Sequence, residues 1–184
     1  MKRRDALRGL ALLTGGLVLV PSCDFSKEDI LSAYQNLEVT PSLKQLLAEI
    51  ADTIIPAGNL KGAADIEVQD FILVMVNDCM EIEAQQTFMS GLKSFDDFSK
   101  KSTGNKFGIL TQEQRETLIL EGLSTEDESQ QTTKDFLRTT KRFTIQGFMV
   151  SEYMQTEVKP YSLIPGEYKG DVLIADLKPE KING

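Results

Sequence analysis

The chain has 184 residues, 41% hydrophobic and 26% charged, a size and mix that suit one ordinary folded domain with its own core. Its 28 acidic residues outnumber 20 basic ones, so the surface repels phosphate backbones and no nucleic acid is expected as a partner. Histidine is absent and Cys23 and Cys79 are the only cysteines, which removes the ligands of the usual zinc, haem and cysteine-bound iron–sulfur sites and the imidazole of hydrolytic triads. No catalytic, cofactor-binding or metal-binding residue is assigned to this chain, and any catalysis in it would rest on carboxylate, Lys or Tyr chemistry.

The N-terminus reads as an address. A basic start (Lys2, Arg3, Arg4, Arg8) precedes an apolar stretch from Gly9 to Val20 and then Pro21-Ser22-Cys23. The apolar stretch is shorter than the roughly 20 residues of a spanning helix, so a cleaved signal is expected. Lys2-Arg3-Arg4-Asp5-Ala6-Leu7-Arg8 resembles the twin-arginine export motif through Arg3, Arg4 and Leu7, with Ala6 where that motif prefers Phe. Val20-Pro21-Ser22-Cys23 resembles a lipobox, which makes Cys23 the expected lipidation site; the alternative is a generic secretory signal with an incidental Cys. Several acyl chains on Cys23 would exceed the two-signal threshold for stable anchoring. The expected organisation is a signal peptide at 1–22, a lipidated tether at 23–39 and a helical domain at 40–184 with an extended tail from about 157. Without its first 22 residues the protein has 16 basic against 27 acidic residues, a net charge of −11. The expected location is the periplasmic side of a bacterial envelope membrane, held by the lipid.

Thr40-Pro41 predicts a helix start, with Thr as N-cap and Pro where its missing N–H costs nothing. Leu43, Leu46, Leu47, Ile50, Ile54 and Ile55 follow on one face, and Pro56-Ala57-Gly58 ends the helix. A second periodic segment places Val68, Phe71, Ile72, Met75, Cys79 and Ile82 on one side, with Cys79 expected as a buried thiol. A third runs through Phe88, Leu92, Phe95 and Phe98. Thr111-Gln112-Glu113-Gln114 is a capping box that opens a helix carrying Leu118, Ile119 and Leu123. After the acidic stretch 124–131, a longer helix is expected from about Thr132 to Met154, with Phe136, Phe143, Gly147, Val150 and Met154 inward. Gly147 inside a helix suggests close approach by another backbone, the alternative being a glycine that is simply tolerated there. Beyond Thr156, Pro160, Pro165-Gly166 and Gly170 break helical continuity, and Tyr161, Leu163, Ile164 and Tyr168 lie on an extended track able to cover its own domain or wrap a partner. The fold class is therefore all-α, a bundle of about five helices with an extended C-terminal arm. The acidic pair Asp96-Asp97 and the run Glu126-Asp127-Glu128 lack the spacing of a calcium loop and read as solvated faces.

Three blocks carry a likeness. The first is Leu47-Ala48-Glu49-Ile50-Ala51-Asp52-Thr53-Ile54-Ile55-Pro56, followed by a Gly/Ala loop and a helix with Val68, Asp70 and Phe71. The second is Thr144-Ile145-Gln146-Gly147-Phe148 with Ser151-Glu152, and the third is Ile164-Pro165-Gly166-Glu167-Tyr168-Lys169-Gly170. Together they resemble the gluconate 2-dehydrogenase subunit 3 family across roughly residues 40 to 172. The resemblance implies a non-catalytic small subunit beside a large FAD-dependent subunit of the glucose–methanol–choline class, which holds the FAD and the substrate site. A cytochrome c subunit, carrying haem c, is a further implied partner. Twin-arginine export moves folded proteins, typically ones loaded with a cofactor, so the expectation is that this chain carries a flavin subunit across and anchors it. Pro56, Gly147, Tyr161, Pro165, Gly166 and Tyr168 are the candidate partner contacts, aromatics being enriched in interface cores. The alternative function is a free-standing envelope lipoprotein that binds a ligand or scaffolds another complex.

Overall fold

The protein is represented by a computed structural model that describes Tyr34, residues 36–159, Asp171 and Leu173. Five α-helices form the described part: α1 (Pro41–Ile54), α2 (Val68–Cys79), α3 (Ile82–Thr103), α4 (Gln112–Ser124) and α5 (Gln131–Val150). No strand occurs among the described residues, and the all-α bundle is the architecture expected from the sequence. The expected signal peptide, Cys23 and nearly all of the C-terminal arm lie outside the described residues.

The start of α1 follows its sequence. The Thr40 hydroxyl accepts from the Leu43 N–H at 3.3 Å and Pro41 occupies the first turn. Leu47, Ala48, Ile50, Ala51 and Thr53 face inward. The helix stops because Pro56 holds the residue before it out of the α region, and Ile55 accordingly sits at φ −131°, ψ 84°. The loop then folds back, the Ala63 N–H donating to the Ile55 carbonyl at 2.9 Å, and enters α2 through Glu67, whose φ of 53° is left-handed.

Helix α2 buries Val68, Gln69, Ile72, Leu73, Val76 and Asn77. This arc is rotated from the expected one. Phe71 and Met75 sit at its margin, Cys79 is exposed, and Ile82 belongs to the next helix and is 70% exposed. The buried thiol expected at Cys79 is thus corrected: Cys79 is the last residue of α2, and the backbone leaves the helix at Met80 with φ −107°, ψ 148°, so no following turn covers it. Asn77 is instead the inward residue. Its Oδ1 accepts from the Asn36 N–H at 2.9 Å and its carbonyl accepts from Asn36 Nδ2 at 3.1 Å.

That exchange fastens the segment before α1 to the bundle, and Tyr34, Leu37 and Val39 are all buried in the core. The end of the stretch expected as a tether therefore packs as part of the domain. Helix α3 buries Phe88, Leu92, Phe95 and Phe98 as its spacing predicts, and Gly104 closes it at φ 80° with its N–H on the Lys100 carbonyl at 2.8 Å. A single 3₁₀ turn at Phe107–Ile109 drives Phe107 inward. The capping box at α4 is present in both directions: Gln114 N–H to Thr111 Oγ1 at 3.4 Å, and Thr111 N–H to Gln114 Oε1 at 3.0 Å.

Helix α5 is the centre of the bundle and packs against all four others, most extensively against α3. Gly91 permits this closeness, since the Phe136 side chain lies where a β-carbon of residue 91 would be. Phe136 stacks 5.2 Å from Phe88 and 5.6 Å from Phe95, and Phe95 meets Phe107 edge-on at 5.2 Å, in the range where tilted aromatic pairs attract. The expected single helix to Met154 is interrupted. Ser151 takes an extended conformation, its hydroxyl donating to the Phe148 carbonyl at 2.7 Å and accepting from the Met154 N–H at 3.2 Å. A wider turn of π type over Met154–Val158 follows. Met154 is buried as expected, whereas Val150, expected inward, is 57% exposed because the helix ends on it.

Candidate partner-binding surface

The candidate contacts divide. Arg3, Arg4, Leu7, Cys23, Tyr161, Pro165, Gly166 and Tyr168 lie outside the described residues; Pro56 and Gly147 are placed. Gly147 is buried on the inward side of α5, where a β-carbon would come 2.6 Å from Cδ1 of Phe71. The close approach suspected there is real, but a ring of α2 makes it and not a backbone. The space at Gly147 is therefore filled from within the chain.

Pro56 is exposed, and it borders a groove of about 300 Å³ between the end of α1, α4 and the middle of α5. Ile54, Ile119, Leu120 and Leu123 wall the groove, with Glu116 and Lys141 at its rim. Leu120 is 64% exposed because it points away from the Leu118–Ile119 face that packs inward. One turn beyond Lys141 on α5 stand Ile145 and then Met149, both exposed. The inward face expected for α5 left these residues aside. The signal for them was present in the sequence, since an Ile and a Met off the buried spacing of a helix must face water or a partner.

Other groups have structural roles. Tyr34 donates its hydroxyl to Asp70 Oδ1 at 3.2 Å, and the same oxygen pairs with Lys44 at 2.6 Å. Burial first, then the Asp70 charge and the hydrogen bond to it, push the Tyr34 phenol up to about 12. Asp96 accepts from the Phe107 N–H at 3.1 Å and so fixes the turn that delivers Phe107 to the core. Asp97 pairs with Lys100 at 3.0 Å. Asp127 caps a 3₁₀ turn through the Ser129 N–H at 2.9 Å, and the hydrogen bonds from Ser129 hold its carboxyl below the usual range. Among the described residues no three His, Cys, Asp or Glu side chains gather as a metal site, and no helix is long and apolar enough to cross a membrane.

Beside Pro56 the described surface thus offers an apolar groove to which α5 contributes Lys141, a shape suited to receiving a side chain or short segment of another protein. No curated protein and no solved structure is significantly similar to the chain. The family model described as gluconate 2-dehydrogenase subunit 3 matches residues 41–166, which spans every helix of the bundle and both the Pro56 and Gly147 blocks. The chain belongs to the gluconate 2-dehydrogenase subunit 3 family, and so is an accessory subunit of a dehydrogenase complex.

Proposed function

We propose that this chain is the non-catalytic small subunit of a FAD-dependent sugar or aldonate dehydrogenase, and that it exports, stabilises and anchors the flavin subunit. The family match over residues 41–166 carries the reading. The composition is in keeping with it: with no His and two Cys, the chain lacks the usual ligands of haem and iron–sulfur centres, and the family resemblance implies that the FAD belongs to a large partner of the glucose–methanol–choline class and haem c to a cytochrome c subunit. The address sequence supplies the rest. Arg3, Arg4 and Leu7 direct a folded, cofactor-loaded complex through the twin-arginine route, and Cys23 holds it at the periplasmic side of the membrane by its acyl chains.

The test is co-expression of the chain with its flavin subunit. Changing Arg3 and Arg4 together to Lys should leave the flavin protein in the cytoplasm, and Cys23→Ser should release an exported complex from the membrane. Normal export of the flavin subunit beside the double Lys variant would sink the proposal. Co-purification also separates it from a free-standing lipoprotein, which would emerge as a monomer without a yellow partner.

A further inference from the structure

The outward side of α5 brings cations without ion pairs together with exposed apolar side chains. Residues 131–150 hold four basic residues and one acid in a chain whose net charge is −8. Among the described residues, Lys44, Lys61, Lys93, Lys100 and Lys106 each find a carboxylate; Lys101, Arg115, Lys134 and Lys159 form no ion pair either, but Arg138, Lys141 and Arg142 are three such cations within five consecutive positions of one helix. Asp135, the acid nearest to Arg138 in sequence, accepts from Gln131 at 2.8 Å instead, and Lys134 turns to the Thr125 carbonyl at 2.5 Å. The Arg142 guanidinium rests 4.4 Å from the centre of the Phe143 ring. Positions 138, 142, 145 and 149 share one side of the helix, so the cations are followed along the same row by Ile145 and Met149, 44% and 38% exposed. The row covers about 17 Å of helix. Lys141 links it to the groove beside Leu120, where Glu116 is the one carboxylate.

We infer that this row and the groove form one docking surface for an acidic and apolar segment of the flavin subunit, a proposal that rests on the accessory-subunit reading above. Carboxylates of that segment pair with Arg138, Lys141 and Arg142, and an apolar side chain enters the groove against Leu120 while its neighbours cover Ile145 and Met149. Charge complementarity selects this occupant. A second copy of the chain would bring the same cations against themselves across a two-fold axis. An anionic bilayer is disfavoured as well, because the chain as a whole is acidic and three cations fall short of the cluster of about four to eight that holds a segment on such lipid. A concave apolar groove also has no use on a bilayer, but it is the usual receptor for an anchoring side chain at a protein interface.

The experiment compares three forms of the full chain, each co-expressed with the flavin-containing large subunit of the same organism and captured by a tag. These are the unchanged chain, Arg138→Glu with Arg142→Glu, and Lys93→Glu with Lys100→Glu, which makes the same charge change on α3. Thermal unfolding establishes that all three are folded. The α5 variant should bind the flavin subunit at least about tenfold more weakly, or about 1.4 kcal/mol, while the α3 variant stays within about threefold of the unchanged chain. Capture by the unchanged chain but equally by the α5 variant overturns this surface and leaves the accessory-subunit reading standing. Equal loss in both variants also overturns it, since bulk charge alone would then be responsible. No capture by the unchanged chain defeats the accessory-subunit reading itself. Vesicles of phosphatidylglycerol and phosphatidylcholine form the last arm: binding by the Cys23→Ser chain that the α5 variant loses, with flavin-subunit capture intact, would assign the row to lipid and overturn the proposal.

Discussion

The two sides of α5 obey different rules. Its inward side, with Phe136, Leu137, Thr140, Phe143, Thr144, Gly147 and Phe148, is buried along the whole helix and meets each of the other four helices. Its rings sit at 5.2 and 5.6 Å from their neighbours and the Thr140 hydroxyl returns to the Phe136 carbonyl at 2.9 Å, while the buried Thr144 Oγ1 is without a hydrogen-bond partner. The outward side has three cations without ion pairs and large apolar side chains in water. One helix therefore both closes the core and leaves a surface unfinished. The contrast teaches where sequence changes should act: inward ones on folding, outward ones on association.

The largest effect expected is from Phe136→Ala. Phe136 is fully buried, touches Phe88 and Phe95, and lies against Gly91, so its removal opens a cavity at the tightest helix crossing of the bundle. A loss of roughly 3–5 kcal/mol in urea unfolding is expected, a large share of the stability of a domain this size. A loss under about 1 kcal/mol would show that the inward side is loosely packed and would break the contrast.

Much of this inward side was legible. Periodicity placed Phe88, Leu92, Phe95, Phe98, Phe136 and Phe143, and local chemistry placed the Thr40 and Thr111 caps, because those signals act within one or two turns of chain. The failures are at helix ends. Cys79 and Val150 continue an inward spacing, but α2 and α5 stop on them, and periodicity has no means of marking where its own face runs out. Ser151 was readable only in retrospect, its hydroxyl serving both as an acceptor for the turn after it and as a donor to the helix before it. Phe107 and the Tyr34–Val39 stretch entered the core from irregular segments, where no period exists to detect. Of the candidate site, Pro56 was legible from its block, but its groove was not, since Leu120 and Lys141 reach it from helices distant in sequence.

A middle-sized effect is expected at Tyr34, which joins the segment before α1 to Asp70 on α2. Tyr34→Phe removes one hydrogen bond but leaves Asp70 paired with Lys44, so a loss of about 1 kcal/mol is expected. Its pH dependence is the sharper test. The folded phenol titrates near 12, above its unfolded value of about 10, so the folded state favours the protonated form. That stabilisation is complete below pH 10 and is lost as pH rises towards 12. Unfolding measured across this window should fall more steeply for the unchanged chain than for Tyr34→Phe; parallel curves would mean that the phenol is not held neutral by its place in the fold.

The smallest effect on stability should come from the outward side, and here smallness is the informative result. Ile145 and Met149 are 44% and 38% exposed, and on replacing both by Gln the methylene stem of Gln can cover much of the surface they do bury, while Gln is at least as good a helix former as Ile and close to Met. Unfolding free energy should change by less than about 1 kcal/mol, two surface substitutions at up to about 0.5 kcal/mol each. If the same double variant also lost capture of the flavin subunit, the apolar half of the row would be serving association alone, since folding would be untouched. A loss of more than about 1 kcal/mol would instead show that the surface these side chains bury within their own chain matters to the fold, and the outward side of α5 would then belong to the fold and not to a partner.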